Sequence, residues 1–360
     1  MSGQLDILAL EPFYGGVRKT MMETIFRLSR HRWTLFKLPP RRIERRLTAA
    51  AHWFAEQLSR HWVGKVDVLF TSEAMNLADL IRLMPMLSKK PSVVYFHSNE
   101  LPDPGQFDST GPHELVNLST AQAATEIWFN SDFHIQNFAY RAAGRVQLHP
   151  ELTSRNPLPE MLSKSYLMPP PVDLAMVQQI AAAHPIERQK RAIFVETRDA
   201  DVEMINYALK TLQDRGEKFE LLVVGPLDEL RPEFPRTQIS ESDETAQIQA
   251  MLRAGVFLSA RQWVPVDFYF IRAVAAGCWP ILPPLGVYPE VIPQTLHECC
   301  LYEYNPESLA SRIQDAWHMY DFAEHSEKFM TAIHPYEAVT ACKAMDDRLA
   351  RLMGGPHGNS

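Results

Sequence analysis

Residues Leu5–Lys19 read LDILALEPFYGGVRK, and the order of their parts decides the fold. The apolar run Leu5–Leu10 is too short for a helix and ends at Glu11-Pro12, as a strand covered on both faces does. The pair Gly15-Gly16 then turns the chain into a helical pattern near Arg18–Leu28. Strand, glycine turn and helix make the opening half of a parallel βα unit.

The same alternation runs outward from this stretch. Strand-like Trp33–Leu38, Val66–Phe70, Ser92–Phe96 and Ile127–Phe129 are separated by helical patterns through Arg42–Leu58, Asn76–Met84 and Leu115–Ala124, with Asp132–Ala142 after them. A loop-rich stretch, Gln147–Pro159, precedes Tyr166–Met168 and the stiff Pro169-Pro170-Pro171, which cannot continue a helix or an interior strand. The pattern then restarts with strands at Ala192–Val195, Phe219–Val224, Val256–Leu258 and Trp279–Leu282, interleaved with helices at Asp201–Asp214, Glu244–Leu252 and Phe268–Ala276. Helical periods through Pro306–Met330 and Tyr336–Leu352 close the chain. An α/β protein of two doubly wound, Rossmann-like domains facing a central cleft is predicted. The expected divisions are residues 1–170, residues 171–333, and a final helix within 334–360 that packs back on the first domain and ends in a frayed tail.

Composition narrows the function classes. A chain of 360 residues exceeds what one core usually supports, and with 46% hydrophobic and 22% charged residues it reads as globular. No apolar run reaches membrane-spanning length, and Met1-Ser2-Gly3 leads into the first strand with no basic leader, so a cytoplasmic protein without a membrane partner is expected. Cys278, Cys299, Cys300 and Cys342 form no C-x-x-C pair and have no histidine at zinc spacing, which predicts reduced core thiols and no metal. A net charge of -7 gives no global attraction to nucleic acid. A local basic surface is available at Arg41, Arg42, Arg45 and Arg46, which reads equally as a solvated helix face or an RNA contact.

Doubly wound domains bind ligands at the carboxyl ends of their strands, so the residues there are the candidates. After the first strand, Gly15 and Gly16 let the backbone approach a ligand and precede a helix N-terminus suited to phosphate or sugar oxygens. After the fourth, His97, Ser98, Asn99 and Glu100 form the densest polar cluster of the first half. Asn130-Ser131, and Ser72-Glu73 with Asn76, stand at other strand ends, where N-capping of the next helix is an equal explanation. In the second half, Glu196-Thr197-Arg198-Asp199 can put the Arg198 guanidinium on a diphosphate, and the loop within Gly277–Glu290 can present backbone N–H groups to a nucleotide.

Five of these segments together resemble the tRNA-queuosine mannosyltransferase family of retaining GT-B transferases: Glu11–Lys19, Leu69–Pro85 (LFTSEAMNLADLIRLMP), Val94–Pro104 (VYFHSNELPDP), Ile127–Phe138 (IWFNSDFHIQNF) and Ala275–Pro293 (AAGCWPILPPLGVYPEVIP). The resemblance implies a nucleotide-sugar co-substrate such as GDP-mannose, no bound metal or cofactor, and transfer with retention onto queuosine in tRNA. Gly15, Gly16, Lys19, His97, Asn99, Asn130 and Ser131 match positions of the family pattern. On this reading His97, Asn99 and Glu100 are catalytic. Gly15, Gly16, Lys19, Asn130, Ser131, Arg198, Asp267, Arg272, Tyr288 and Glu290 bind the donor, and Tyr14, Arg41, Arg42 and Arg45 meet the acceptor. The chain departs from the pattern at Val17-Arg18, where the family carries Ser-His, and at Val264 and Arg272, where it carries two glutamates eight positions apart. Asp267 is the nearest substitute carboxylate, and Arg272 brings a charge suited to phosphate. The alternative these departures raise is a non-catalytic protein that keeps the scaffold and binds sugar nucleotide or RNA.

Overall fold

A computed structural model describes residues 3–61, 64–99, 101–102, 113–148, 156–183 and 185–354. Contacts divide the chain into two units, Met1–Pro171 with Ala338–Ser360, and Val172–Glu337.

Unit 1 runs β1 (Asp6–Glu11), α1 (Gly16–Leu28), β2 (Arg32–Lys37), α2 (Ile43–His61), β3 (Val68–Ser72), α3 (Leu77–Leu83), β4 (Ser92–Phe96), α4 (His113–Ala123), β5 (Glu126–Phe129), α5 (Asp132–Leu148), α6 (Leu158–Ser163) and β6 (Ser165–Leu167). Its strands form one sheet in the order β2-β1-β3-β4-β5-β6, each pair parallel. Alternation along β1 explains why its sequence is apolar throughout. Leu8 and Leu10 enter the core with Phe54, Leu58, Leu80 and Phe96, while Ile7 and Ala9 enter a second core with Met21, Ile25 and Trp128.

Unit 2 opens with α7 (Leu174–Ala183) and continues β7 (Gln189–Glu196), α8 (Val202–Asp214), β8 (Glu220–Val224), β9 (Arg236–Ile239), α9 (Glu244–Arg253), β10 (Ala254–Leu258), α10 (Phe268–Ala275) and β11 (Trp279–Ile281). Short helices α11 (Tyr288–Val291) and α12 (His297–Cys300) then lead to α13 (Pro306–His318) and α14 (Phe322–Ile333). The sheet order is β11-β10-β7-β8-β9, again parallel. Cys278 and Cys300 are buried here, and burial pushes the Cys278 thiol up to about 11.

The chain ends in α15 (Ala338–Gly354), which belongs to unit 1 and covers its second core with Cys342, Met345 and Leu349. Polar contacts fix its register. Asp346 accepts from the Ser29 hydroxyl at 2.6 Å and the Arg30 N–H at 2.8 Å, and Arg348 pairs with buried Glu126 at 2.5 Å while stacking over the Tyr166 ring. Among the described residues no helix is long and apolar enough to cross a membrane.

Candidate functional site

Each sheet reverses its winding direction beside its first strand, which opens a crevice at the strand ends on that spot. In unit 1 the reversal falls between β1 and β3, and in unit 2 between β7 and β10. Buried carboxylates stand at both places: Glu11 and Glu73 in unit 1, Glu196 in unit 2.

In unit 1 the organising residue is Glu73, just past β3. Its carboxylate takes both arms of Arg18, at 2.9 and 2.5 Å, from the first turns of α1. It also accepts the N–H of His97 at 3.2 Å, and the N–H and hydroxyl of Ser98 at 3.0 and 3.2 Å. Burial alone would raise its pKa, but Arg18 and these donors hold it down at about 2. Glu73 is therefore a fixed anion that neutralises Arg18 and pins the start of the loop after β4. Glu11 next to it accepts from the Phe13 N–H at 2.7 Å and the Ser72 hydroxyl at 3.1 Å, and its burial moves its pKa upward against the pull of Arg18.

His97 is held at both ends of its peptide unit, by Glu73 at the N–H and by the Asn130 amide, which donates to its carbonyl at 3.1 Å. Its ring packs against Tyr95 with 4.7 Å between centroids, and the residue is half-buried. Burial and the nearby Arg18 charge push its pKa well below the usual imidazole range, so the ring is neutral and can both donate to and accept from a hydroxyl. Behind it lies His134, fully buried, with Nδ1 at 2.9 Å from Asn130 Oδ1 and Nε2 at 3.3 Å from the Asn99 amide nitrogen. Asn130 Oδ1 can only accept and the Asn99 amide can donate, so Nδ1 carries the proton and the ring is neutral. Burial holds His134 at a pKa of about 3, in agreement with that pattern.

The strand-end residues Gly15, His97, Asn99, Asn130 and Ser131 all lie at the carboxyl side of this sheet, following β1, β4 and β5. Asn130 and Ser131 are buried and their side chains are committed: Asn130 to His97 and His134, Ser131 as N-cap of α5 through the His134 N–H at 3.1 Å. They position the loop that carries His97 and the start of α5. Glu100 lies outside the described residues. Gly15 and Gly16 earn their identity separately: a side chain at Gly15 would run into Pro40, and Gly16 has a φ of +51°. The glycine turn thus lies against the proline pair that leads to Arg41, Arg42 and Arg45, all exposed. Tyr14 sits on the same rim with Lys37 Nζ 4.2 Å from its ring centroid, and exposed Lys19 lies 3.8 Å from Glu23.

In unit 2 several residues expected to meet the donor have partners within the protein. Tyr288 is fully buried, its hydroxyl donating to Asp267 Oδ2 at 2.7 Å and lying 2.7 Å from Ser259 Oγ. Asp267 spends its other oxygen capping α10 through the Phe270 N–H at 3.0 Å, so neither residue offers a polar atom to a ligand. Arg272 is closed by an ion pair with Glu244, Val264 is fully buried, and exposed Arg198 is paired with Glu241 at 2.7 Å. Glu290 is exposed on α11. Glu196 ends β7 inside the segment that the sequence offers for Arg198, and Arg261, three residues past β10, is not singled out there; among the described residues Glu196 Oε2 and Arg261 Nε have no hydrogen-bond partner and lie 3.8 Å apart.

Comparison with known proteins accords with this layout. Residues 6–172 match the family model of the tRNA-queuosine alpha-mannosyltransferase N-terminal domain, ending one residue past the first segment of unit 1. A tRNA-queuosine alpha-mannosyltransferase from Drosophila melanogaster is 25% identical over 313 residues, 80% of this chain and 82% of the relative. Among solved structures, a glycosyltransferase from Rickettsia africae ESF-5 has a TM-score of 0.65 at 12% identity, covering 98% of this chain and 99% of its own. Anabaena HepE, solved with UDP and glucose, has a TM-score of 0.64 at 12% identity, covering 97% and 100%. At such identities the structural likeness speaks to the fold, which is GT-B.

Proposed function

Since this chain is a glycosyltransferase of GT-B fold whose N-terminal half is a domain of the tRNA-queuosine alpha-mannosyltransferase family, we propose that it transfers mannose from GDP-mannose, with retention, to queuosine in cytoplasmic tRNA. The observation that carries the reading is His97: a neutral, half-buried imidazole at the end of β4, in a residue held at both its N–H and its carbonyl. Such a group can hold sugar hydroxyls while positive charge develops on the ring in the transition state, and its neutrality avoids repulsion with that charge. Asn99 steadies the same loop through His134 and the Leu101 N–H. The glycine turn and the start of α1 suit diphosphate oxygens, and Lys19 adds charge nearby. Tyr14, Arg41, Arg42 and Arg45 on the rim fit an RNA backbone, a local basic surface on an otherwise acidic chain.

The test is incubation of the purified chain with GDP-mannose and queuosine-containing tRNA, followed by nucleoside mass spectrometry. A hexose added to queuosine is the expected product, and His97→Ala should lower its rate roughly hundredfold with little change in stability. Unchanged turnover in that variant would remove His97 from the chemistry.

A second reading, a non-catalytic binder of sugar nucleotide or RNA, draws on the loss of carboxylates at buried Val264 and at Arg272, which Glu244 holds. Calorimetry with GDP-mannose separates the two when combined with the product assay, because binding without transfer favours the second.

A further inference from the structure

His134, in the first turn of α5, is fully buried and lies between two side-chain amides whose orientations are each set by the backbone. On one side the Leu101 N–H donates to Asn99 Oδ1 at 3.3 Å, which turns the Asn99 amide nitrogen toward His134 Nε2, 3.3 Å away. On the other the His97 carbonyl accepts from the Asn130 amide nitrogen at 3.1 Å, which turns Asn130 Oδ1 toward His134 Nδ1, 2.9 Å away. A backbone N–H and a backbone carbonyl cannot exchange roles, so only a neutral ring with its proton on Nδ1 satisfies both neighbours. Four hydrogen bonds then run in one direction, from the Leu101 N–H through Asn99, His134 and Asn130 to the carbonyl of His97.

The packing keeps the ring in this chain of bonds. Phe129 and Phe96, the last residues of β5 and β4, meet it edge to face at 5.0 and 6.5 Å between centroids. Its own backbone N–H donates to Ser131 Oγ at 3.1 Å, and that hydroxyl lies 3.4 Å from Asn130 Oδ1. Asn99 and Asn130 are buried with it, so a bond lost here is not replaced by bulk water.

His97 stands one residue past the last ladder pair of β4 and β5, Phe96 with Phe129. There its N–H goes to Glu73 and its carbonyl to Asn130, so the place of the imidazole depends on how firmly those two side chains are held. Glu73 is fixed by Arg18, and Asn130 by His134. We propose that His134 is a positioning residue for glycosyl transfer: by holding Asn130 it sets where the His97 ring stands, and it touches no substrate itself. A reacting group displaced by about 1 Å can lose on the order of a hundredfold in rate, so a buried side chain that never meets the sugar can govern turnover. The inference rests on the transferase reading with His97 in the chemistry, and names what aims that residue.

Turnover of the full chain with GDP-mannose and queuosine-containing tRNA, compared across variants at position 134, tests it. His134→Asn puts an amide nitrogen where Nδ1 stands and keeps the donor to Asn130, whereas His134→Gln reaches only the place of Nε2 and keeps the contact with Asn99. His134→Gln should lower kcat about ten- to hundredfold with KM for both substrates within about twofold of the wild type, and His134→Asn should stay within about threefold in kcat. In a His97→Ala background His134→Gln should cost less than about twofold more, because the ring it positions is gone. Equal losses in His134→Asn and His134→Gln, a change in KM alone, or losses that multiply in the double variant overturn the role and leave the transferase reading standing. No transfer by the wild type overturns both. Proton–nitrogen correlation spectra of the wild type labelled at histidine need no variant: a neutral His134 with its proton on Nδ1 is expected at neutral pH, and a proton on Nε2 overturns the inference even if the variants fold poorly.

Discussion

Glu73, just past β3, ties three parts of unit 1 together, reaching α1 through Arg18 and the loop after β4 through His97 and Ser98. Replacing it with Gln keeps the shape but removes the carboxylate charge from the buried two-armed pair with Arg18, and breaking such a pair typically costs about 3–5 kcal/mol. The Glu73→Gln variant should therefore lower the unfolding free energy by that amount, read as a lower urea midpoint at constant slope, and should loosen the His97–Ser98 turn as well. A shift below about 1 kcal/mol would mean that the ion pair is incidental. The sequence announced part of this site: His97, Asn99 and Asn130 stand after apolar runs, where strand ends are expected to gather function. It could not announce that Arg18 and Glu73, 55 positions apart, meet in a two-armed pair, because no local pattern marks a long-range partner. His134 lies in the first turn of α5 and reaches back to Asn130, which stands before the helix, a contact that no helical spacing marks. The unclaimed oxygen of Glu196 left no signal either, since satisfaction of a buried group depends on distances to other strands.

Among the elements, strands buried on both faces were legible as short apolar runs, whereas β9 was not. Its residues, Arg236-Thr237-Gln238-Ile239, form a half-exposed edge strand with no apolar run to read. The helical period through Pro306–Met330 hid a break, because Asp321 caps a new helix by accepting the Ala323 N–H at 2.9 Å. The last helix, α15, is the element whose removal discriminates between the units, since it is far from β1 in sequence yet shares a core with Ile7 and Met21. Leu349→Ala should cost about 2–5 kcal/mol, the range for truncating a buried leucine. Hydrogen exchange should register this loss in β1 and β3 while the protection of β7 and β10 stays unchanged. Equal loss in both sheets would contradict the assignment of α15 to unit 1.

At the scale of the whole chain, the two units respond to acid in opposite directions. In unit 1, His134 titrates near 3 when folded and near 6.5 when unfolded, and His97 is lowered in the same sense. Below pH 6.5 the unfolded state binds protons that the folded state refuses, so stability falls as pH falls, by about 2 kcal/mol from His134 alone between pH 6.5 and 5. Glu73 extends the loss below pH 4.5, down to its folded value of about 2, while the raised carboxyl of Glu11 opposes it with a single proton. In unit 2, Glu196 titrates near 7 when folded against an ordinary value of 4.5. There the folded state holds the extra proton, so this group adds stability as pH falls from 7 toward 4.5. Lowering the pH from 7 to 5 should then weaken exchange protection in β1, β3 and β4 relative to β7, β8 and β10, after correction for intrinsic exchange rates. Glu196→Gln, a neutral side chain at all pH values, should flatten the unit 2 response and stabilise that unit at pH 8, by up to about 3 kcal/mol. His134→Gln should reduce the response of unit 1, leaving the part due to His97, and leave unit 2 unmoved. Parallel loss of protection in both sheets across this range would show that neither buried histidine nor buried glutamate sets the balance.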